Sequence, residues 1–259
     1  MIIGKSQKEI DKMRAAGQLV GRVLQELRAM VAPGITTLEV DRAAEKMIRD
    51  AGAEPTFKGY NGFPFSICAS VNEQVVHGFP SQYELKQGDI FSIDVGATLE
   101  GFVGDTATTV AVGTVSEDCL RLMRITEECL ELAIGACRAG NHLGDIGFAV
   151  QSHAEAQGYS IVRDYVGHGI GRQMHEDPQI PNYGKPGKGP KIKSGYVFAL
   201  EPMVNMGSLH TKTLKDGWTV VTVDGQPSAH FEHTVAITEE GPEVLTRVRP
   251  AVDELVTAA

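Results

Sequence analysis

Apolar side chains recur at helical spacing in the first fifty residues: Ile10, Met13, Leu19, Val20, Val23, Leu24 and Leu27, then Val40, Ala43, Ala44, Met47 and Ile48. That period predicts two amphipathic helices. Ser6 with Glu9 and Thr36 with Glu39 have the form of capping boxes at their starts, while Pro33-Gly34 stops the first near Met30 and Gly52 ends the second. Beyond Gly52 the period shortens, and runs rich in β-branched residues bounded by Gly, Pro and Asn predict strands over 65–71, 75–78, 90–95 and 106–112. Ser116 caps a third helix reaching about Ala139, a fourth runs from about Leu143 to Gln157, and strands follow around 160–166, 197–204, 218–223 and 229–238. Asp224-Gly225 between the last two is a hairpin signal. The Gly-, Pro- and Lys-rich segment 182–195 reads as a mobile surface loop.

The two halves share more than an order of elements. Lys86-Gln87-Gly88-Asp89-Ile90-Phe91-Ser92-Ile93-Asp94 and Lys193-Ser194-Gly195-Tyr196-Val197-Phe198-Ala199-Leu200-Glu201 are each a turn followed by an apolar strand, and each ends in a carboxylate at the same register. Ahead of them, Ala32-Pro33-Gly34 and Arg138-Ala139-Gly140 each separate two helical patterns, which Ala51-Gly52 and Gln157-Gly158 close. Solenoid units recur every ~20 to 50 residues, so two units of this length point instead to a duplicated half-domain. The expected architecture is α/β (α+β): one domain over residues 1–259 with repeats of about 6–112 and 116–244, an antiparallel sheet covered by helices.

A chain of 259 residues, 42% hydrophobic, can bury a sizeable core. Its net charge of -9 argues against a nucleic-acid partner, which needs Lys and Arg clustered on one face. Cys68, Cys119, Cys129 and Cys137 have no C-x-x-C spacing, and the last three read as small core residues of one helical pattern, which fits a reducing compartment. No apolar run suits a signal peptide or approaches the ~18 residues of a membrane span. A cytoplasmic monomer with no membrane partner is therefore expected.

Chemistry enters with acids in apolar strands. Ile93-Asp94-Val95-Gly96 puts one inside a strand and Gly104-Asp105-Thr106 a second at the start of the next, where a hairpin would set them side by side. Alone, each reads as a salt bridge or a turn cap; Glu201 and Glu232 in corresponding strands of the second half change that reading. Four buried carboxylates without nearby Lys or Arg would repel, and divalent cations are the natural remedy. His168, in Gly167-His168-Gly169-Ile170-Gly171 directly after an apolar strand, would add one imidazole. A turn-capping histidine competes with that reading, and a phosphate loop less so, because the spacing is not G-x-G-x-x-G. One imidazole with four carboxylates suits two ions of Mn, Fe, Co or Zn that share bridging carboxylates.

The set Asp94, Asp105, His168, Glu201 and Glu232, in Ile-Asp-Val-Gly, Gly-Asp-Thr, Gly-His-Gly-Ile-Gly, Leu-Glu-Pro-Met and Phe-Glu-His-Thr, resembles the type I methionine aminopeptidases from Lys8 to about Val244. The resemblance implies a pita-bread fold of two related halves holding a dinuclear centre. In it, Asp94 would bind one ion, His168 and Glu201 the other, and Asp105 and Glu232 would bridge them, with a monovalent cation as a further cofactor. Water activated between the ions would attack the scissile carbonyl, and Glu201 would take its proton. The same resemblance implies that His77 and His175 contact the scissile amide and stabilise the oxyanion. It implies that Tyr60, Phe63, Cys68, Met174 and Trp218 receive the methionine side chain. Met174 stands where the family usually has Phe, and Phe63 where it often has Tyr. The implied reaction is removal of the initiator methionine from peptides and from nascent chains at the ribosome when the second residue is small.

His142, His153, His210, His230 and His233 are assigned structural roles. Two other readings compete. One is an Xaa-Pro aminopeptidase or dipeptidase of the same fold, whose usual N-terminal domain finds no room here. The other is a non-catalytic peptide-binding homologue, which would be expected to have lost ligands.

Overall fold

The structure is a computed structural model that describes residues 2–248; Met1 and residues 249–259 of the expected domain lie outside the described residues. Helices α1 (Gln7–Met30) and α2 (Thr37–Asp50) form where the apolar period predicts them. The Glu9 carboxylate accepts from the Ser6 N–H at 3.0 Å and the Glu39 carboxylate from the Thr36 N–H at 2.8 Å, so both helix starts have their boxes. Helices α3 (Glu117–Ala136) and α4 (Leu143–Ala156) repeat the arrangement, with Ser116 Oγ accepting from the Cys119 N–H at 3.2 Å.

The strands of the first half are β1 (Glu54–Pro55), β2 (Ile67–Val71), β3 (Gln74–Val76), β4 (Ile90–Leu99) and β5 (Phe102–Ala111). The second half supplies β6 (Ser160–Ile161), β7 (Gly167–Gly169), β8 (Glu176–Ile180), β9 (Val197–Leu200), β10 (Met203–Asn205), β11 (Thr211–Thr213), β12 (Val220–Thr222), β13 (Ser228–His230), β14 (Glu232–Ile237) and β15 (Pro242–Val244). The main antiparallel sheet runs β1-β4-β5-β14-β9-β7-β8, with β2 also on β4 and β15 on β14. Its seam is β5 against β14, where Glu232 lies opposite Ala107 and His233 opposite Thr106. Outward from the seam come β4 and β2 on one side, β9 and β7 on the other. Two small sheets, β13-β10-β6 and β11-β12-β3, close the periphery.

Helix α1 buries one stripe, including Met13, Ala16, Val20, Val23 and Leu27, against β4 and β5. Each large apolar side chain buried this way contributes roughly 1.5–3 kcal/mol. The approach is close enough to dictate a residue type. A Cβ on Gly104 of β5 would lie 2.8 Å from the Ala16 carbonyl carbon and the Gly17 nitrogen of α1. Glycine there lets the helix seat on the sheet next to Asp105.

Several expected boundaries change for physical reasons. Strand β5 begins at Phe102, so Asp105 sits inside a ten-residue strand paired along its length with β4, not at a strand start. His168 lies within β7, paired to Ala199 and Gln179, rather than in a turn after a strand; the preceding run keeps strand geometry only at Ser160–Ile161. The expected strand 197–204 breaks at Glu201-Pro202, where proline has no N–H for a ladder, and 229–238 breaks at Phe231. Asp224-Gly225 joins no hairpin: β12 pairs with β11 and β3, while β13 pairs with β10. Segment 182–195 is not a free loop either. Gly144 donates to Lys188 O at 2.9 Å, Leu143 to Pro190 O at 3.0 Å and Ile192 to Asn141 O at 2.7 Å, which ties it to the α3–α4 turn.

Candidate metal centre

The β4–β5 register sets Asp94 opposite Ala107 and Gly96 opposite Asp105, so alternation brings both carboxylates to one face as diagonal neighbours. Across the seam β14 contributes Glu232 to that face, and Glu201 follows β9 directly. From β7 comes His168. Asp105, His168 and Glu232 each offer a ligand atom within 4.8 Å of the others. His168 Nε2 is 3.5 Å from Glu201 Oε1 and 3.9 Å from Asp105 Oδ2. Its Nδ1–H donates to Gly169 O at 2.9 Å, which leaves Nε2 unprotonated and aimed at the acids.

Electrostatics make this cluster costly without cations. Burial pushes the Asp94 carboxyl up to about 7, with a hydrogen bond from the Cys68 thiol pulling slightly the other way. Burial, and then the negative charge of Asp94, holds Asp105 well above the usual carboxylate range; Glu201 and Glu232 are raised by burial and then by Asp105. Burial also drives the His168 imidazole down to about 3, keeping it neutral and its lone pair available. Asp94 Oδ1, Asp105 Oδ1 and Glu232 Oε1 are buried and have no hydrogen-bond partner. Orphaned acceptors converging on a neutral imidazole, in a lining without Lys or Arg, fit divalent metal ions.

The acids and His168 line a cavity of about 210 Å³ whose other walls are Phe57, Tyr60, Asn61, Phe63, Cys68, His77, Met174, His175 and Trp218. All twelve residues singled out from the sequence therefore meet in one place. Phe63 packs edge-on against Trp218 at 5.1 Å between ring centroids, and Tyr60 Oη lies 2.8 Å from His175 Nδ1. His77 follows β3 with φ of 59°, a left-handed backbone uncommon outside glycine and a frequent mark of functional positions. Burial lowers the His77 imidazole to about 4 and lowers His175 as well, so both are neutral at pH 7.

A sequence profile of metallopeptidase family M24 matches residues 11–239. The chain belongs to that family. This M24 chain is 57% identical over 249 residues to the methionine aminopeptidase of Clostridium perfringens, covering 96% of this chain and 100% of that one. It is 54% identical over 248 residues to methionine aminopeptidase 1 of Bacillus subtilis, with 96% and 100% covered. The crystal structure of methionine aminopeptidase from Thermotoga maritima matches with a TM-score of 0.94 at 47% identity, covering 95% of this chain and 100% of that one. A prolidase from Pyrococcus horikoshii, at 21% identity and a TM-score of 0.78 over 96% of this chain and 65% of that one, shares the fold alone. The pita-bread α/β (α+β) fold of the M24 proteins is thus the fold observed.

Sequence reasoning missed three residues of the site. Phe57 and Asn61 line the cavity from the irregular segment after β1, where no periodicity points to a face. His230, assigned a structural role, is buried with an unpartnered Nε2 that stands 3.9 Å from Glu201 Oε2. His233 does have partners, with Nδ1 2.8 Å from Thr246 Oγ1.

Proposed function

We propose that this chain is a type I methionine aminopeptidase that removes the initiator methionine from new proteins and peptides, with a small second residue preferred. The observation that carries the reading is the cluster of orphaned acids with neutral His168 at the base of an apolar-walled cavity. Two divalent ions, of Co, Mn, Fe or Zn, would supply Lewis-acid polarisation of the scissile carbonyl and lower the pKa of the attacking water toward ~7. Asp94, Asp105, His168, Glu201 and Glu232 would hold them. Glu201, whose Oε1 lies 3.5 Å from His168 Nε2, would take the proton from water. With Nδ1 of His175 accepting from Tyr60 Oη, its Nε2–H is free to donate to the carbonyl oxygen as charge develops. His77, neutral and fixed by its backbone, holds the scissile amide. Phe63, Cys68, Met174, Trp218 and Tyr60 surround the thioether, whose sulfur packs well on ring edges.

The wider reading places the enzyme in the cytoplasm as a monomer acting on nascent chains at the ribosome, with a monovalent cation as a further cofactor. Its four cysteines are all free and buried, which supports a reducing compartment, and among the described residues no helix is long and apolar enough to cross a membrane. A duplication of about 6–112 and 116–244 belongs to it too, supported by β2-β4-β5 facing β7-β9-β14 across one seam. Glu232 and Asp105 are then offset in register, because Glu232 lies opposite Ala107.

Hydrolysis of Met-Ala-Ser and Leu-Pro-Ala, with Mn(II) or Co(II) and with EDTA, tests the proposal beside a Glu201→Ala control. Release of methionine from the first peptide only, abolished by EDTA and by the substitution, is expected. Cleavage before proline alone would move the chain to the Xaa-Pro relatives. Inert metal-loaded protein would favour the non-catalytic homologue.

A further inference from the structure

Outside the cavity lining, Lys5 and Glu176 form an ion pair of 2.6 Å whose side chains are only 7% and 15% exposed. Glu176 is shared between two tasks. Its Oε2 takes the Lys5 ammonium, while Oε1 accepts the backbone N–H of Arg172 at 2.9 Å and of Gln173 at 3.3 Å. One carboxylate thus closes the turn from Gly171 to Glu176 on itself and fastens it to the N-terminal segment. Gly171 makes the room, because a Cβ there would lie 2.5 Å from Glu176 Oε1 and 2.7 Å from Lys5 Cε.

Lys5 is itself anchored. Its N–H donates to Gly195 O at 2.7 Å, and Gly195 N–H donates onward to Ile237 O at 2.8 Å in the main sheet. Its Nζ also donates to Ile3 O at 3.1 Å. An ion pair held by this many charge-assisted bonds at low exposure has one geometry, unlike the mobile pairs of a protein surface. The turn it braces carries Met174 and His175 into the cavity. A buried pair is a poor source of net stability, and a positional task explains it better.

We propose that Lys5 and Glu176 are positioning residues for the reaction, fixing the turn that presents His175 and Met174 to substrate. The inference rests on the reading that His175 touches the substrate and Met174 contacts its side chain. The test uses the full-length metal-loaded protein carrying Lys5→Met, which keeps the apolar stem, Glu176→Gln, which keeps an acceptor for the two amides, the double variant, and Lys5→Arg. Steady-state kinetics on Met-Ala-Ser, metal stoichiometry and the imidazole NMR signals of His175 in the zinc form are read together.

Misplacement of a reacting group by ~1 Å can cost ~100-fold, and partial loosening of this turn is expected to lower kcat/KM roughly tenfold in each single variant. The double variant should be no worse than either single one, since both break one pair. Metal content should stay at the parent value, the His175 signals should shift or broaden, and Lys5→Arg should restore activity. Parent-like kcat/KM with unmoved His175 signals in both single variants would overturn the inference. So would an activity loss that merely follows a lowered melting temperature and disappears on cooling. A His175→Ala variant with parent activity would instead bring down the reading beneath it.

Discussion

Removing metal should make the protein's stability fall as pH rises, and the structure fixes both the sign and the useful pH window. Asp105, Glu201 and Glu232 have folded-state pKa values well above those of ordinary carboxyls, and Asp94 is raised to about 7. For such groups the metal-free folded state keeps protons that the unfolded chain has released. Stability is then fully present below the unfolded pKa near 4 and is lost as pH climbs toward the folded values. Buried histidines act in the opposite sense below pH 6.5. His77 is lowered to about 4, His168 and His230 to about 3, and each costs stability once the unfolded chain can protonate. Above about pH 7.5 the histidines are largely neutral in both states, so the carboxyls dominate there until thiols titrate near ~8.5.

Each retained proton costs ~1.4 kcal/mol per pH unit, so every carboxyl that keeps its proton from pH 7.5 to 8.5 removes about 1.4 kcal/mol of stability. For a chain of this size that is a fall of roughly 3–6 °C in melting temperature for each such carboxyl. The assay is calorimetry on EDTA-treated protein at pH 7.5, 8.0 and 8.5 beside Mn(II)-loaded protein, whose carboxylates the cations keep ionised. A metal-free melting point that stays flat or rises over this window, or a loaded protein that falls in parallel, would refute the reasoning.

Two further substitutions probe how the site is held. Gly104→Ala forces a Cβ to 2.8 Å from the α1 backbone and should cost about 1–3 kcal/mol by overpacking, read as a lower thermal midpoint; an unchanged midpoint contradicts the close approach of α1 to β5. Asp41→Ala removes the Oδ1 that accepts from Ser66 N–H at 2.7 Å and Ile67 N–H at 3.1 Å, leaving two buried donors unpaired at about 1–3 kcal/mol each. Denaturant melts should show that loss, with faster hydrogen exchange at Ile67, while Asp41→Asn retains most of the stability.

Local signals predict the helices well because everything needed lies within four residues: Thr36 and Glu39 cap each other, and the apolar stripe of α1 repeats every three or four positions. The four acids and the imidazole were legible for another reason, since charge inside an apolar strand is rare enough to demand a partner. What stayed hidden depends on distance along the chain. Nothing near Lys5 indicates Glu176, and nothing near Asp224-Gly225 indicates that β12 and β13 would choose partners in different sheets. His230 failed to stand out because its interest lies in an unpartnered nitrogen beside Glu201, a property of packing rather than of spacing.

The β5–β14 seam also sets a timetable for the molecule as it is made. Asp94 and Asp105 emerge in the first half of the chain, yet they wait for β14, a central strand of the sheet that arrives only after residue 231. Pairings across so many intervening residues close late, after their loop entropy has been met. A growing chain short of β14 therefore lacks Glu232 and holds an unfinished cage. Metal capture should then coincide with completion of the sheet, which would make the ion a reporter of finished synthesis.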